Sequence, residues 1–243
     1  MADLAALLAH VAVPTSGYTL PTPLPERPFG LFKQWFDEET AAGRTPNPNA
    51  MSLATIDADG TPSCRIVLCR GIGVDKGYVV LYTNYQGRKG RALLANPRAA
   101  IAMHFDHSDR QVRVEGFAVQ SPAAESDAYF QSRRWESRLA AWMSNQSEPI
   151  RSREELLGRA GAVMERLSLK PDELLERGND VYIPRPPHWG GFRLYARSIE
   201  LWLGGPGRLH DRGVWRRELP VCGSWEQAEA AATNGWVATR LQP

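Results

Sequence analysis

The sequence lacks any apolar run that could cross a membrane, since a spanning helix needs roughly 18 consecutive apolar residues. It also lacks an excess of one charge: 29 Lys and Arg residues against 27 Asp and Glu residues give a net charge of +2, too small to attract nucleic acid by bulk charge. The N-terminus carries Asp3 and no Lys or Arg before its apolar residues, unlike a secretory signal. We therefore predict a cytoplasmic protein with neither a membrane nor a nucleic acid as partner.

Cysteine is scarce and odd in number, and the three in the chain are Cys64, Cys69 and Cys222. Cys64 and Cys69 fall on one predicted strand, where they would lie about 16 Å apart, too far for a disulfide. We expect the cysteines to be reduced thiols that lie in the core or line a cavity.

Several catalytic and nucleotide-binding motifs are missing as well. There is no Gly-x-Ser-x-Gly elbow and no Walker sequence. The Gly71-Ile72-Gly73 stretch leads into a turn rather than a helix, so it does not fit the dinucleotide fingerprint. The segment from His104 to Asp109 has metal-ligating side chains, but no second histidine or cysteine cluster would complete a coordination shell. We therefore predict no metal site.

Short β-branched segments separated by glycine and aspartate turns are present instead, and they predict an antiparallel sheet or barrel. The predicted strands cover residues 51–56, 65–70, 78–84, 99–105, 111–120, 192–196, 199–203 and 236–241. Predicted helices cover residues 29–42, 87–94 and 128–142, begin at Ser121-Pro122 and at Ser152, and include a short surface helix at 228–232. The proline-rich residues 1–28 are predicted to form an N-terminal arm, and residues 29–243 a single domain.

Four cations gather around one predicted strand pair and one helix start. The second and third predicted strands are expected to form a β-hairpin that carries Arg65 and Arg70. Arg88 and Lys89 stand in the first turn of the helix that follows. Because a helix N-terminus offers free N–H groups, this region suits a dianionic phosphate. The alternative is a solvated basic turn on an ordinary hairpin.

A second candidate anion site lies in the predicted helix 128–142. Tyr129, Arg133 and Ser137 recur every four residues there, which places a phenol, a guanidinium and a hydroxyl on one face. This trio could hold a second phosphate. A polar stripe of this kind equally suits a helix face that is simply exposed to solvent.

A third candidate site follows the predicted strand 199–203. Trp202 is followed by a glycine-rich turn, and Arg208, His210 and Arg212 then alternate, so they would share one face of an extended segment. Such a face suits a planar anionic ligand. The alternative is a hairpin with a charged outer face.

Taken together, these segments resemble the pyridoxamine 5′-phosphate oxidase family over residues 29–243. The similarity rests on ordered motifs: Arg-Ile-Val-Leu (65–68), Tyr-Thr-Asn (82–84), Arg-Lys (88–89), Arg-Gln-Val (110–112), Tyr-Phe-x-Ser-Arg (129–133), Gln-Ser (146–147), Trp-Gly-Gly-Phe-Arg (189–193), Arg-Leu-His-Asp-Arg (208–212) and the terminal Arg-Leu-Gln-Pro. The resemblance implies an α+β fold that is mainly antiparallel β, namely an FMN-binding split β-barrel with peripheral helices. It also implies a homodimer with FMN at the subunit interface.

The resemblance further implies roles for individual residues. The FMN phosphate would be held by Arg65, Arg88 and Lys89 together with Tyr82, Thr83, Gln146 and Ser147, on a site completed by Ile66, Val67, Leu68, Cys69 and Arg70. The flavin ring would lie along Gln111, Trp202 and Arg212. The substrate would be bound by Arg70, Tyr129, Arg133, Ser137, Arg208, Leu209 and His210, of which Arg208 and His210 would be catalytic.

The activity implied by the resemblance is oxidation of pyridoxamine 5′-phosphate or pyridoxine 5′-phosphate to pyridoxal 5′-phosphate, with O₂ as acceptor and H₂O₂ as product. Positions that depart from the family pattern lie on the substrate side: Asn47, Arg70, Arg134, Trp135 and Leu203. Two alternatives stay open. One is a related flavin oxidase with a retuned pocket, such as the phenazine-biosynthesis members, and the other is a non-catalytic protein that binds FMN or pyridoxal phosphate.

Overall fold

The computed structural model describes residues 19–233 and 235–243, so most of the predicted N-terminal arm lies outside the described residues. The strands are β1 (Ala50–Ile56), β2 (Pro62–Leu68), β3 (Gly71–Gly73), β4 (Tyr78–Asn84), β5 (Arg98–Phe105), β6 (Arg110–Gln120), β7 (Trp189–Leu203), β8 (Asp211–Arg216) and β9 (Val237–Leu241). The helices are α1 (Pro28–Ala42), α2 (Arg88–Ala95), α3 (Ala123–Ser132), α4 (Trp135–Met143), α5 (Arg153–Arg166), α6 (Pro171–Arg177) and α7 (Trp225–Ala231).

All nine strands of the described chain belong to one antiparallel sheet, which confirms the predicted fold class. The strand order is β2-β1-β5-β6-β7-β4-β3, and β8 and β9 continue from β7 on a separate branch. The sheet does not close on itself, although the Arg70 N–H donates to the Val80 carbonyl 2.8 Å away and so links the end of β2 to β4.

The predicted hairpin between residues 65–70 and 78–84 is wrong. β2 pairs with β1 over its whole length, while β4 forms its tight hairpin with the short strand β3. The physical reason is the turn at residues 57–61, where the Gly60 N–H donates to the Asp57 carbonyl and the Asp57 N–H donates to the Thr61 carbonyl, so that the chain returns directly alongside β1. Two apolar runs in sequence show that strands exist but do not show which strands pair.

Strand β7 is the longest element and organises the sheet, because β6 runs along one of its sides while β4 and β8 share the other. The sequence predicts two strands here, and the structure joins them into one. A β-bulge explains the apparent break: Glu115 pairs with Ser198 and Gly116 with Ala196, which leaves Arg197 without an opposite residue. A Cβ on Gly116 would lie 1.9 Å from the Tyr195 carbonyl oxygen, so only glycine fits there.

The main core lies between the sheet and α1. Phe29, Phe32 and Trp35 repeat at helical spacing and are buried against the strands, as the sequence predicts. Each fully buried aromatic side chain contributes about 1.5–3 kcal/mol of transfer free energy. The helix ends where Gly43 adopts the left-handed conformation, with φ at 60°.

A second apolar layer is covered by α7, near the C-terminus. The predicted surface helix at 228–232 is instead the helix 225–231, and its Ala228 is fully buried against Phe117, Val119 and Tyr195. This short helix therefore caps the sheet rather than lying on its surface. Its alanines suit that position because their small side chains allow close approach to the aromatic rings.

The predicted helix 128–142 is also wrong, since it is broken in two. The first helix ends at Ser132, Arg133 is extended with ψ at 153°, and the second helix begins at Trp135. The Asn179 side chain accepts a hydrogen bond from the Trp135 N–H at 2.8 Å and so caps the new helix start. This cap comes from a distant part of the chain and leaves no local signal.

Of the two predicted serine caps, one is confirmed. Ser152 caps α5 by accepting from the Glu155 N–H at 3.2 Å, as predicted, whereas Ser121 does not cap α3, whose N-cap is Pro122. Cys69 is buried and Cys222 is half-buried, but Cys64 is exposed because it lies on the outer face of the edge strand β2.

The described end of the N-terminal arm packs on the C-terminal strands. Leu20 is buried, its N–H donates to the Asp211 carboxylate at 2.7 Å, and the Trp215 indole donates to the Pro25 carbonyl at 2.7 Å. Every helix in the described part of the chain is too short or too polar to reach across a lipid bilayer.

Candidate functional site

A cavity of about 270 Å³ opens between β2, β4 and the break between α3 and α4. We call it the cation cavity. It is lined by Ile66, Val67, Leu68, Arg70, Tyr82, Thr83, Lys89, Tyr129, Arg133, Gln146 and Trp189. The structure thus gathers ten of the predicted site residues in one place and adds Trp189, which the sequence analysis assigned to a motif but to no role.

Lys89 lies at one end of the cation cavity, in the first turn of α2. Its ammonium group donates to Gln146 Oε1 at 2.7 Å and to Thr83 Oγ1 at 3.2 Å, and among the described residues it forms no ion pair. Burial lowers the pKa of Lys89, and the nearby charge of Arg65 lowers it further. A half-buried cation held only by neutral oxygens is well placed to attract an anion.

The start of α2 is built for close approach to Gln146. A Cβ on Gly87, the residue that caps the helix, would lie 2.6 Å from Gln146 Oε1, so a larger residue there would displace the Gln146 amide. The Arg88 N–H donates to Ser147 Oγ at 3.2 Å, while its guanidinium donates to Asp57 Oδ2 at 2.6 and 2.8 Å. The predicted phosphate residue Arg88 is therefore already paired with a carboxylate.

Arg65 lies on β2 next to the cation cavity and outside its lining. Its guanidinium donates to the Leu53 carbonyl at 3.1 Å, to Thr55 Oγ1 at 2.7 Å and to Ser63 Oγ at 2.7 Å. All three acceptors are neutral, and burial lowers the pKa of Arg65. Arg65 and Lys89 thus form a pair of partly desolvated positive charges at the same end of the site.

The other end of the cation cavity is an aromatic stack with an arginine at each end. Tyr82 stacks on Tyr129 at 3.9 Å between ring centres and lies 5.5 Å from the centre of Trp189. The Cζ atom of Arg70 lies 5.7 Å from the Tyr129 ring centre, and that of Arg133 lies 4.7 Å from a Trp189 ring centre. The rings hold both guanidinium groups near the cavity through cation–π contacts.

Arg133 has an unsatisfied donor. Its Nη1 atom is buried and has no hydrogen-bond partner among the described residues, and burial lowers the pKa of this side chain. A buried charged donor without a partner is costly, so such an atom marks a place where an anionic ligand would bind. Ser137, predicted to share this face, lies on α4 outside the cavity lining, because the helix break at Arg133 changes its direction.

Most of the other predicted residues lie elsewhere, on what we call the 202–212 segment, with Gln111 beside it on β6, while Cys69 is buried outside the lining of the cation cavity. Gln111, Trp202 and Arg212 are direct neighbours on β6, β7 and β8. The Trp202 and His210 rings are 4.6 Å apart, and His210 Nδ1 accepts a hydrogen bond from the Gly205 N–H at 3.2 Å.

The predicted common face of Arg208, His210 and Arg212 is wrong. Arg208 adopts a left-handed conformation, with φ at 65°, in the turn Pro206–Arg208, so the segment is not extended until β8 begins at Asp211. Leu209 is exposed, and the Arg212 guanidinium pairs with Glu200 at 2.8 Å.

The cation cavity and the 202–212 segment do not meet within one chain. Trp189, which lines the cavity, begins β7, whereas Trp202 lies near its other end, and no residue of the segment is among those that line the cavity.

Comparison with known proteins agrees with this geometry. Residues 36–165 match the family model described as pyridoxamine 5′-phosphate oxidase. The chain belongs to this family. Residues 189–243 match the C-terminal dimerisation region of pyridoxine 5′-phosphate oxidase, which contains the whole 202–212 segment and supports a homodimer. FMN is the cofactor of the pyridoxamine 5′-phosphate oxidase family, so this prediction is confirmed.

Curated relatives are similar over most of the chain. A pyridoxine/pyridoxamine 5′-phosphate oxidase of Burkholderia cenocepacia is 46% identical over 216 residues, which is 89% of each chain. One of Bordetella petrii is also 46% identical over 216 residues and 89% of each chain.

Solved structures include PhzG from Burkholderia lata in complex with tetrahydrophenazine-1-carboxylic acid, with a TM-score of 0.72, 27% identity, and coverage of 90% of this chain and 94% of that one. A pyridoxamine 5′-phosphate oxidase-related, FMN-binding protein from Nostoc punctiforme has a TM-score of 0.62 at 17% identity, with coverage of 88% and 96%. This second similarity concerns the fold alone.

Proposed function

We propose that this protein is a homodimeric, FMN-dependent oxidase that converts pyridoxamine 5′-phosphate or pyridoxine 5′-phosphate to pyridoxal 5′-phosphate and reduces O₂ to H₂O₂. When bound, FMN takes two electrons from the substrate and passes them to O₂. The work of the chain is to bind both phosphates, orient the two flat rings and place donors around them.

The observation that carries this proposal is the presence of two separate cationic groups in one cavity. Lys89, with Arg65 beside it, lies at the start of α2, and Arg133 lies with Arg70 around the aromatic stack. A flavin with one phosphate leaves the second group without a ligand. A substrate that carries its own phosphate would satisfy the buried, unpartnered Arg133 Nη1.

The partner subunit would complete the site with its 202–212 segment. Arg208 and His210, the predicted catalytic residues, would then lie over the substrate bound in the cation cavity. Since His210 Nδ1 accepts from the Gly205 N–H, the neutral ring carries its proton on Nε2 and presents that atom as a donor. Gln111, Trp202 and Arg212 would lie along the flavin ring from the same subunit.

A second candidate is suggested by the similarity to PhzG, which binds a tetrahydrophenazine carboxylic acid in its solved complex. In that case the cation cavity would hold a carboxylate and a fused aromatic ring. Two features favour the phosphorylated substrate: the higher identity to the oxidase relatives, and the four cations around one cavity, which exceed the need of a single carboxylate.

The test uses the purified holoenzyme and three compounds. Without air, pyridoxamine 5′-phosphate and pyridoxine 5′-phosphate are expected to bleach the flavin absorbance near 450 nm, and a dihydrophenazine carboxylic acid is not. With air, the phosphorylated substrates are expected to give H₂O₂ and pyridoxal 5′-phosphate in equal amounts. Bleaching by the phenazine compound alone would establish the second candidate. If none of the three compounds bleaches the flavin, the protein is a non-catalytic binding protein rather than an oxidase of these substrates.

A further inference from the structure

One ring of the aromatic stack, that of Tyr82, is anchored by a carboxylate that lines no part of the cavity. Tyr82 contacts both other rings, with ring centres 3.9 Å from Tyr129 and 5.5 Å from Trp189, and those two rings are 6.2 Å apart, so the orientation of Tyr82 affects the placement of both. Its hydroxyl donates to Glu125 Oε1 at 3.3 Å. The hydroxyl of Tyr82 is therefore held by Glu125, while Tyr82 itself lines the cavity.

Glu125 is itself fixed from behind. Arg193 donates to Glu125 Oε2 from Nε at 2.9 Å and from Nη2 at 2.5 Å, in a charge-assisted pair that is largely buried. Arg193 also donates from Nη1 to Glu229 at 2.7 Å. One side of the Glu125 carboxylate is thus held by an arginine, and its other oxygen is left to receive the Tyr82 hydroxyl.

Glu125 lies on α3, which also carries Tyr129 and ends at Ser132, directly before Arg133. A shift of Tyr82 relative to α3 would therefore also shift Arg70, which contacts the Tyr129 ring, and Arg133, which contacts the Trp189 ring. Burial raises the pKa of Tyr82, as does the nearby charge of Glu125, so the phenol keeps its proton and remains a donor.

We propose that Glu125 is a positioning residue for the substrate phosphate: by fixing the Tyr82 ring it holds the two rings that Tyr82 contacts, Tyr129 and Trp189, against which Arg70 and Arg133 lie. This inference rests on the proposed function for its substrate. The bond between Glu125 and Tyr82 and the binding of a bare anion do not depend on it.

The first experiment measures kinetics with pyridoxamine 5′-phosphate. Tyr82→Phe removes the hydrogen bond to Glu125, and Glu125→Ala removes that bond together with the Arg193 ion pair, so KM is expected to rise roughly 3- to 10-fold in both, with kcat changed less than twofold. The double variant is expected to be no worse than Glu125→Ala, because the contact with Tyr82 is already lost in that variant. Glu125→Gln keeps an acceptor oxygen and is expected to recover most of the loss. Additive effects in the double variant would overturn the proposal.

A matched control is available on the same helix. Asp127 lies two positions after Glu125 and pairs with Arg185 at 2.6 Å, and its side chain is 56% exposed. Asp127→Asn is expected to leave KM unchanged. A KM that rises as much in Asp127→Asn as in Glu125→Ala would show a general effect on α3 and overturn the proposal.

The second experiment observes the bond without turnover. In protein labelled with ¹³C at the tyrosine ζ carbon, the seven tyrosines give separate signals, and the one lost in Tyr82→Phe identifies Tyr82. Glu125→Ala is expected to shift that signal, and Asp127→Asn is not. If Glu125→Ala folds poorly, Glu125→Gln replaces it: exchanging the charged acceptor for an amide oxygen is expected to give a smaller shift in the same direction, and an unmoved signal in the folded variant would overturn the proposal.

The positioning role of Glu125 can be tested even if the proposed function is wrong. If neither phosphorylated substrate bleaches the flavin, binding of inorganic phosphate to the holoenzyme by calorimetry replaces KM, since FMN then fills the seat around Lys89. Weaker phosphate binding in Glu125→Ala than in Asp127→Asn would support the positioning role. Equal binding in these two variants would overturn it.

Discussion

The cation cavity and the 202–212 segment carry similar residue types in opposite surroundings. In the cavity, Lys89 and Arg133 are partly buried and form no ion pair with any described carboxylate. In the segment, Arg212 pairs with Glu200 at 2.8 Å, and Leu209 is exposed. The first region therefore suits an anion, because its buried cations have no carboxylate partner within the described chain. In the second region the charge of Arg212 is already neutralised by a carboxylate.

We expect this difference to reflect a site that is divided between subunits. Keeping a desolvated cation in a folded chain costs free energy. An anionic ligand that pairs with the cation offsets this cost, so the cavity is preorganised for anion binding. The 202–212 segment lies at the far end of β7, in the part of the chain that matches a dimerisation region. We therefore expect each active site to combine the cavity of one subunit with the segment of the other.

The largest effect is expected from mixing two inactive variants. Lys89→Ala disables the cavity, and His210→Ala disables the segment. In a refolded one-to-one mixture half of the dimers are mixed, and each has one intact site, so about a quarter of the wild-type activity should return. The measurement is H₂O₂ release per protein chain, at an FMN concentration too low to fill the Lys89→Ala cavity, with each variant refolded alone as the control. If no activity returns, both regions come from the same chain and the comparison fails.

The next largest effect is expected from Lys89→Ala on its own. A charge-assisted hydrogen bond to phosphate is worth about 1.5 to 3 kcal/mol, so the Kd for FMN should rise roughly 10- to 150-fold. Quenching of FMN fluorescence on titration into the FMN-free protein gives the Kd. Lys170→Ala, at an exposed position before α6, is the matched control and should bind FMN normally. Normal FMN binding by Lys89→Ala would remove the cavity as the phosphate seat.

Arg133→Ala separates the two ends of the cavity. It removes the guanidinium with the unpartnered Nη1, so KM for pyridoxamine 5′-phosphate should rise roughly 10-fold or more while the Kd for FMN stays the same. Steady-state kinetics at saturating O₂ give KM. Arg134→Ala, next in sequence and paired with Glu136 on the surface, should change neither value. An unchanged KM in Arg133→Ala would mean that the aromatic stack does not bind the substrate.

The smallest effect is expected from Arg88→Ala, which tests whether an existing ion pair reduces the contribution of a cation to FMN binding. Arg88 is already paired with Asp57 at 2.6 Å, and its side chain is 56% exposed. The Kd for FMN should therefore rise only about 3- to 10-fold, less than in Lys89→Ala. The same fluorescence titration gives the ratio. A larger loss of FMN affinity in Arg88→Ala than in Lys89→Ala would contradict the order that burial and ion pairing predict for these two cations.

Patterns that are local in sequence predicted local structure well. The repeat of Phe29, Phe32 and Trp35 gave α1, Gly43 gave its end, and Ser152 gave the start of α5. These signals work because the helix period and the caps involve residues only a few positions apart.

Predictions that needed a distant partner were the ones that failed. The break at Arg133 depends on Asn179 as a cap and on Trp189 as a stacking surface, and both are more than forty positions away. The wrong hairpin arose because strand pairing depends on the turn that precedes β2. The role of Glu125 could not be found either, since its partners Tyr82 and Arg193 lie 43 and 68 positions away.

The sequence by itself determined the antiparallel strands, most of the helices and the identity of the cations, because periodicity, turn residues and side-chain chemistry are properties of short stretches. Tertiary structure alone decided which cations are buried without a carboxylate, which rings pack together beside them, and that Trp189 of the cavity and Trp202 of the segment lie toward opposite ends of β7. The physical reason is that burial and pairing depend on what surrounds a side chain, and the chain brings those surroundings together only when it folds.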